Sequence, residues 1–427
     1  MASLLAVILS ATLARLLSPE EMGGYFLAFN LACFFSIFCR FGAESTVLRF
    51  VSESLEREEF ERVRQIVIKT LLLLFMTGGV TGTIFYAGLG KWLIEHVLHS
   101  ENLLPVSGLI PIWLVLISLQ IVLVEVFRAF HDIRYATLFG GLFTSLVTVL
   151  LLACYWLIFR QASLAAIIEL MLIAYVVNSI CGMLLLRKWL RPTSAYDPGN
   201  VEYFELLHHS WPIFFSVLTM FIVTGADLWI LSAFRSAEEL GLYGAAVRLV
   251  GFTAMPLALV NNVVSPLIIR LNIRDEKTKM ERLLRATAGV AALPALLILG
   301  LFTGIGNYLL QWIFGAYYAV AHPILVVLTV GQVVNVLTGS SDVTLIMTGH
   351  RSDVMLCSFV AAIIGPGLAL YFVGPYGPMG VACSFTAATI VYQLLMLMFV
   401  RYRCKLWTHA RMSFVKELKQ LFSTAMS

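Results

Sequence analysis

Twelve apolar runs, each about as long as a lipid bilayer is thick, leave this chain few other ways to fold. A helical span needs about 20 mostly apolar residues. Such runs lie near residues 1–17, 23–42, 66–89, 109–130, 135–159 and 163–186, and again near 208–234, 241–264, 284–305, 319–346, 352–373 and 378–400. Charged residues make up 13% of the 427, against about 25% in an ordinary soluble domain. With a mean hydropathy of +0.89, polar side chains are too few to cover a water-soluble globule. A soluble enzyme, a disordered chain and a disulfide scaffold are excluded. The seven cysteines form no CxxC pair and fall mostly inside apolar runs, so they read as packing residues. The first run ends in Arg15 and Ser18-Pro19-Glu20-Glu21 without a small-residue cleavage pattern, so it does not read as a signal peptide. The fold class is an all-α integral membrane protein.

Placing the N-terminus in the cytoplasm lets the positive-inside rule test the count. Of the 29 Lys and Arg residues, Arg15, Lys91, Arg160 and Arg235 then fall in outer loops and Arg248 inside a span; the other 24 lie on the cytoplasmic side. A miscounted span would scramble this alternation from that point on. Twelve transmembrane helices with both termini inside satisfy it.

The chain also repeats itself. Ser18-Pro19-Glu20-Glu21-Met22-Gly23-Gly24-Tyr25 aligns with Ser236-Ala237-Glu238-Glu239-Leu240-Gly241-Leu242-Tyr243 at an offset of 218. Gly88-Leu89-Gly90-Lys91-Trp92-Leu93-Ile94 aligns with Gly304-Ile305-Gly306-Asn307-Tyr308-Leu309-Leu310 at 216, and a weaker match sets His131 to Arg134 beside Gly349 to Arg351. Six spans per repeat is an even number, so both six-helix lobes enter the membrane in the same direction, related by a pseudo-two-fold along the membrane normal. The expected organisation is an N-terminal lobe over 1–190, a cytoplasmic linker over 191–207, a C-terminal lobe over 208–400 and a basic cytoplasmic tail over 401–427 lying on anionic lipid. Span 7 starts near His209, whose counterpart falls about nine residues before Met1, so the first span reads as truncated.

The stretch Arg15-Leu16-Leu17-Ser18-Pro19-Glu20-Glu21-Met22-Gly23-Gly24-Tyr25, followed by Phe41-Gly42-Ala43-Glu44-Ser45-Thr46-Val47-Leu48-Arg49-Phe50, resembles the polysaccharide transporters. These are the O-antigen flippase-like members of the superfamily that also holds multidrug and toxin extrusion proteins and lipid II flippases. Ser210-Trp211-Pro212, Asp227 before Leu228-Trp229-Ile230-Leu231, and Gly241-Leu242-Tyr243 agree in the second half. The resemblance implies a V-shaped pair of lobes that flips an undecaprenyl-diphosphate-linked oligosaccharide from the cytoplasmic to the periplasmic leaflet of a bacterial inner membrane. Its expected partners are the lipid-linked oligosaccharide, membrane lipid, a polysaccharide polymerase and a chain-length regulator, with no nucleic acid, no cofactor and no catalysis. The drug-exporting branch commonly uses acidic residues, including in its first span, for cation coupling; Met1 to Leu17 contains none.

Ionisable groups inside spans are costly and mark a pathway or an internal pair. Asp227 and Arg248 lie at matched depth on adjacent antiparallel spans, roughly 10 Å from the outer surface. Two readings stay open: an ion pair that locks the hairpin, or an Arg248 that faces a cavity and grips a diphosphate with its planar fork while Asp227 orients it. Arg40, Glu44 and Arg49 end span 2, with Arg40 and Glu44 on one helical face and Arg49 off that face. They read as interfacial snorkelling or as a cationic mouth for a diphosphate head group. Glu125 and Arg128 form an i,i+3 pair near the inner end of span 4. Glu169 in span 6 has no sequence-local partner and is the first candidate for a protonatable coupling group, against a hydrogen-bonded buried acid.

Other signals carry less. Gly88-Leu89-Gly90-Lys91 lacks the rest of a phosphate-binding loop, and His96 and His99 lack a third metal ligand. The run from Glu53 to Arg62 reads as a solvated helix with Glu53/Arg57 and Glu58/Arg62 pairs. Pro212, Pro256, Pro294, Pro323 and Pro366 fall in spans 7 to 11, whereas Pro111 alone lies within the first six, which predicts bending in the second lobe. A flippase is the leading functional reading. An ion-coupled exporter of drugs or small amphiphiles on the same fold is the alternative, and a membrane polymerase is disfavoured by the short outer loops.

Overall fold

A computed structural model describes residues 2–159, 163–190 and 202–410. Arg160, the linker from 191 to 201 and the tail beyond 410 lie outside the described residues. With no water in the hydrocarbon core, each segment must satisfy its own backbone groups, and helices are what form. In order they are α1 (Ala2–Leu16), α2 (Pro19–Arg40), α3 (Ala43–Glu56), α4 (Phe60–Val97), α5 (Ile110–Ala129), α6 (Ile133–Phe159) and α7 (Leu164–Trp189). Then come α8 (Tyr203–Phe234), α9 (Ala237–Ile273), α10 (Lys277–Phe314), α11 (His322–Thr338), α12 (Ser341–Met347) and α13 (Arg351–Cys404).

Among the described residues, ten helices are long and apolar enough to cross a membrane. One of them crosses twice. A straight helix of the 54 residues in α13 would be roughly 80 Å long, against a hydrocarbon core of about 30 Å. The chain leaves helical geometry at Gly377 (φ 57°, ψ −139°), and a Cβ at Gly365 would lie against Ala388. Residues 23 positions apart touch only if the helix folds back. With α1, a shorter apolar helix of 15 residues, the twelve crossings are complete. The helices α3 and α12, of 14 and 7 residues, are not crossings.

The repeated motif is a helix start. At α2, Ser18 Oγ accepts from Glu21 N (3.2 Å), Glu21 Oε2 accepts from Ser18 N (3.0 Å), and Pro19 opens the first turn. That reciprocal capping satisfies two otherwise orphaned donors. At α9, Glu239 N donates to Ser236 Oγ (3.4 Å). The glycine that follows serves a different purpose. A Cβ on Gly23 would strike Ala237 O, and one on Gly241 would strike Pro19 O, so the two copies of the motif cross backbone against backbone.

The chain divides into two compact units, Met1–Phe221 with Ser236–Gly241, and Ile222–Arg235 with Leu242–Ser427. The division falls inside α8, after Phe221, and not in the linker. In the first unit, fully buried Trp113 of α5 packs against Tyr25 and Phe29 of α2, with ring centroids 6.3 and 5.5 Å away. In the second, Ile268, Met280, Leu284, Met396 and Val400 form a buried cluster. Prolines 256, 266 and 294 lie inside α9 and α10. The first unit, like the second at Gly377, departs from helical geometry at glycines, at Gly88 (φ 147°) in α4 and at Gly140 and Gly141 (φ 123°) in α6.

Candidate functional site

The helix α2 ends where Phe41 (φ 48°) and Gly42 (φ 78°) both turn left-handed. Gly42 is required there twice over: a side chain resists that φ, and a Cβ would collide with Ser210 O on α8. Around this approach Thr46 Oγ1 and Ser210 Oγ share a hydrogen bond (2.7 Å), Phe41 stacks on Phe214 (4.7 Å), and Phe50 meets His209 edge-on (5.2 Å).

The break seats a cluster of four charges. Arg40 Nε lies 3.6 Å from Glu44 Oε1, with side chains only 11% and 12% exposed. Arg40 Nε and Glu44 Oε2 are buried without a hydrogen-bond partner. On α5, Arg128 Nη1 pairs with Glu125 Oε1 at 2.8 Å, and Glu125 is close enough to Glu44 to feel its charge. The structure thus joins two separately read pairs, Arg40/Glu44 and Glu125/Arg128. Buried polar atoms are nearly always paired; a free donor beside a free acceptor can bind an incoming polar group.

Arg49 stands apart from them. The sequence reading ran one helix through 40–49, but the left-handed pair at 41–42 starts α3 in a new direction. Arg49 is exposed and bonded to Glu53 Oε1 (2.7 Å). The neighbouring surface pairs differ as well: Glu58 has φ 61°, and the ion pairs formed are Arg62–Glu59 (3.3 Å) and Arg64–Glu61 (3.0 Å).

In the second unit Asp227 is buried on α8. Its Oδ2 accepts from Tyr243 Oη (2.9 Å) and its Oδ1 from Leu228 N (2.9 Å). The hydrogen bond across the hairpin is thus Asp227–Tyr243, where the sequence left open an Asp227–Arg248 ion pair or an Arg248 facing a cavity. Depth matched, but phase did not: five residues turn a helix through 500°, which leaves Arg248 about 140° round α9 from Tyr243. Arg248 is half-buried, between buried Ala246 and Leu249. Glu169, near the start of α7, has an exposed side chain, which does not fit the reading of a buried acid.

A search for ionisable groups passes over the neutral polar chain of this unit. Gln393 Nε2 donates to Asn335 Oδ1 (2.7 Å), Asn335 Nδ2 to Gln332 Oε1 (3.0 Å), Thr338 Oγ1 to Gln393 Oε1 (3.2 Å), and Ser340 Oγ to Asn261 Oδ1 (2.6 Å). Amides spaced three apart on one helix, Gln332 and Asn335, are the signal that could have found it.

Twelve crossings in two units, with charges held at helix ends and hairpins, define a multi-pass all-α membrane protein. Solved structures agree on the fold. An inward-facing multidrug resistance MATE family transporter of the MOP superfamily superposes with a TM-score of 0.75 at 14% identity, covering 95% of each chain. The lipid II flippase MurJ in an inward closed conformation gives 0.64 at 16%, covering 100% of this chain and 90% of that one. A MOP superfamily transporter from Pyrococcus furiosus, described as having a reversed binding-pocket polarity, gives 0.64 at 12%, covering 94% and 92%. No curated protein matches. The family model for polysaccharide biosynthesis proteins matches residues 1–272, and the chain belongs to that family.

Proposed function

We propose that the protein flips a lipid-linked oligosaccharide, carried on undecaprenyl diphosphate, from the cytoplasmic to the outer leaflet for surface polysaccharide synthesis. The match of residues 1–272 to the polysaccharide biosynthesis family carries this reading, and the lipid II flippase fold supports it. The reading sets the protein in a bacterial inner membrane with both termini cytoplasmic, beside a polymerase and a chain-length regulator. The lobes over 1–190 and 208–400 move against each other, and the diphosphate is gripped by Arg248 and first met by Arg40 and its neighbours. Removing the gene should accumulate lipid-linked repeat units at the cytoplasmic leaflet, measured by extraction and glycan labelling. Arg248→Lys should lower transport because an ammonium cannot offer two parallel donors to a phosphate. Drug sensitivity without accumulated intermediates would favour the second reading, an ion-coupled exporter, to which the MATE-like fold lends support.

A further inference from the structure

A second cationic feature lies away from the residues assigned to transport. Where α10 begins and α13 ends, a cavity of about 320 Å³ is lined by Lys277, Arg282, Arg285 and Lys405, with Glu281 as its one carboxylate. Arg285 is fixed from two sides: Nη1 pairs with Glu281 Oε1 (3.3 Å), and Nη2 meets His409 Nε2 (3.1 Å). Its Nε is buried with no partner, as is His409 Nδ1. Lys277 leans on exposed Asp275 (3.3 Å), while Arg282 and Lys405 form no ion pair among the described residues. The cavity is therefore a built, electropositive pocket with a preorganised guanidinium and an unused donor. Next to the lining residues Lys405 and Leu406, Trp407 stacks under the Arg401 guanidinium (5.2 Å); indole rings are enriched at membrane–water interfaces, where head groups lie.

We propose that this pocket binds the phosphate of an anionic membrane lipid at the cytoplasmic leaflet. Guanidinium and ammonium groups converging on one cavity suit a phosphate ester. The site is independent of the flippase reading, because its test needs no transported substrate. The full chain in neutral-detergent micelles is acetylated with an N-hydroxysuccinimide ester, and modification of single lysines is read by peptide mass spectrometry. Phosphatidylglycerol in the micelles should slow reaction at Lys277 and Lys405 by about fivefold once lipid reaches several times its Kd, and leave Lys91 unchanged. Protection by inorganic pyrophosphate as well would support a site that recognises the phosphate itself; protection by lipid alone would support recognition of the head group in its membrane setting. Arg282→Gln, an exposed position, should weaken protection at Lys277 without loss of folding. Equal protection of Lys91, protection undiminished in Arg282→Gln, or no protection by either probe would overturn the proposal.

Discussion

Tyr243→Phe removes the hydroxyl that donates to buried Asp227 while keeping the ring that packs around it. A buried acceptor stripped of its donor costs about 1–3 kcal/mol. The variant should melt at a lower temperature in detergent, whereas Tyr371→Phe, at an exposed ring, should not shift the transition. His409 supplies a pH test. Burial first, and Arg285 second, push its imidazole below the ordinary 6.5, with Glu281 opposing. A depressed histidine favours the neutral form in the fold. The stability from its contact with Arg285 is thus fully present above pH 6.5 and is lost as the pH falls through the lowered value. Hydrogen exchange in residues 405–410 should quicken between about pH 7.5 and 5 beyond the intrinsic rate change, and His409→Gln should abolish the difference. At this scale the sequence showed which groups are expensive to bury, since Asp227 stands out in an apolar run. It did not show their partners. Tyr243 looks like another ring in a hydrophobic helix, and only helical phase separates it from Arg248.

Two copies of one motif open α2 and α9, and each copy does two jobs. Ser18 and Ser236 cap; Gly23 and Gly241 let the backbones meet. Gly23→Val or Gly241→Val should force that crossing apart at an overpacking cost of about 1–3 kcal/mol. A cysteine pair at Pro19 and Ala237, cross-linkable when glycine is present, should lose that reactivity in either variant. Gly42→Ala faces both a left-handed backbone and Ser210 O, so it should lower the yield of folded protein more than Ala43→Gly does. The repeat itself was legible because identical solutions to helix capping leave identical letters. The break at 41–42 was not, since Arg40 and Glu44 stand four apart as on one helical face and a lone glycine between them is common in membrane helices. Reading across it misplaced Arg49.

For the molecule as a whole, cysteines placed at Lys91 and at Glu276 should label from opposite sides of the membrane, the first from outside and the second from the cytoplasm. Labelling from one side would overturn the topology. Span number was legible because lipid permits so few alternatives: every crossing must be an apolar helix, and the arginine and lysine distribution gives the orientation this labelling tests. The division of contacts inside α8 was not legible, because it depends on which neighbours Phe214 and Phe221 find, and α8 reads as one continuous apolar run. The fold-back of α13 was read as two spans without its cause. Arg235 Nε and Nη2 donate to Val373 O at 3.1 and 2.9 Å, 138 residues further on, and so brace the bend at Gly377. During biosynthesis the final hairpin thus finds its brace already laid down by an older part of the chain. A ribosome-bound nascent chain arrested soon after residue 404 should acquire its last two crossings together, and Arg235→Ala should leave them transiently uncommitted to the bilayer.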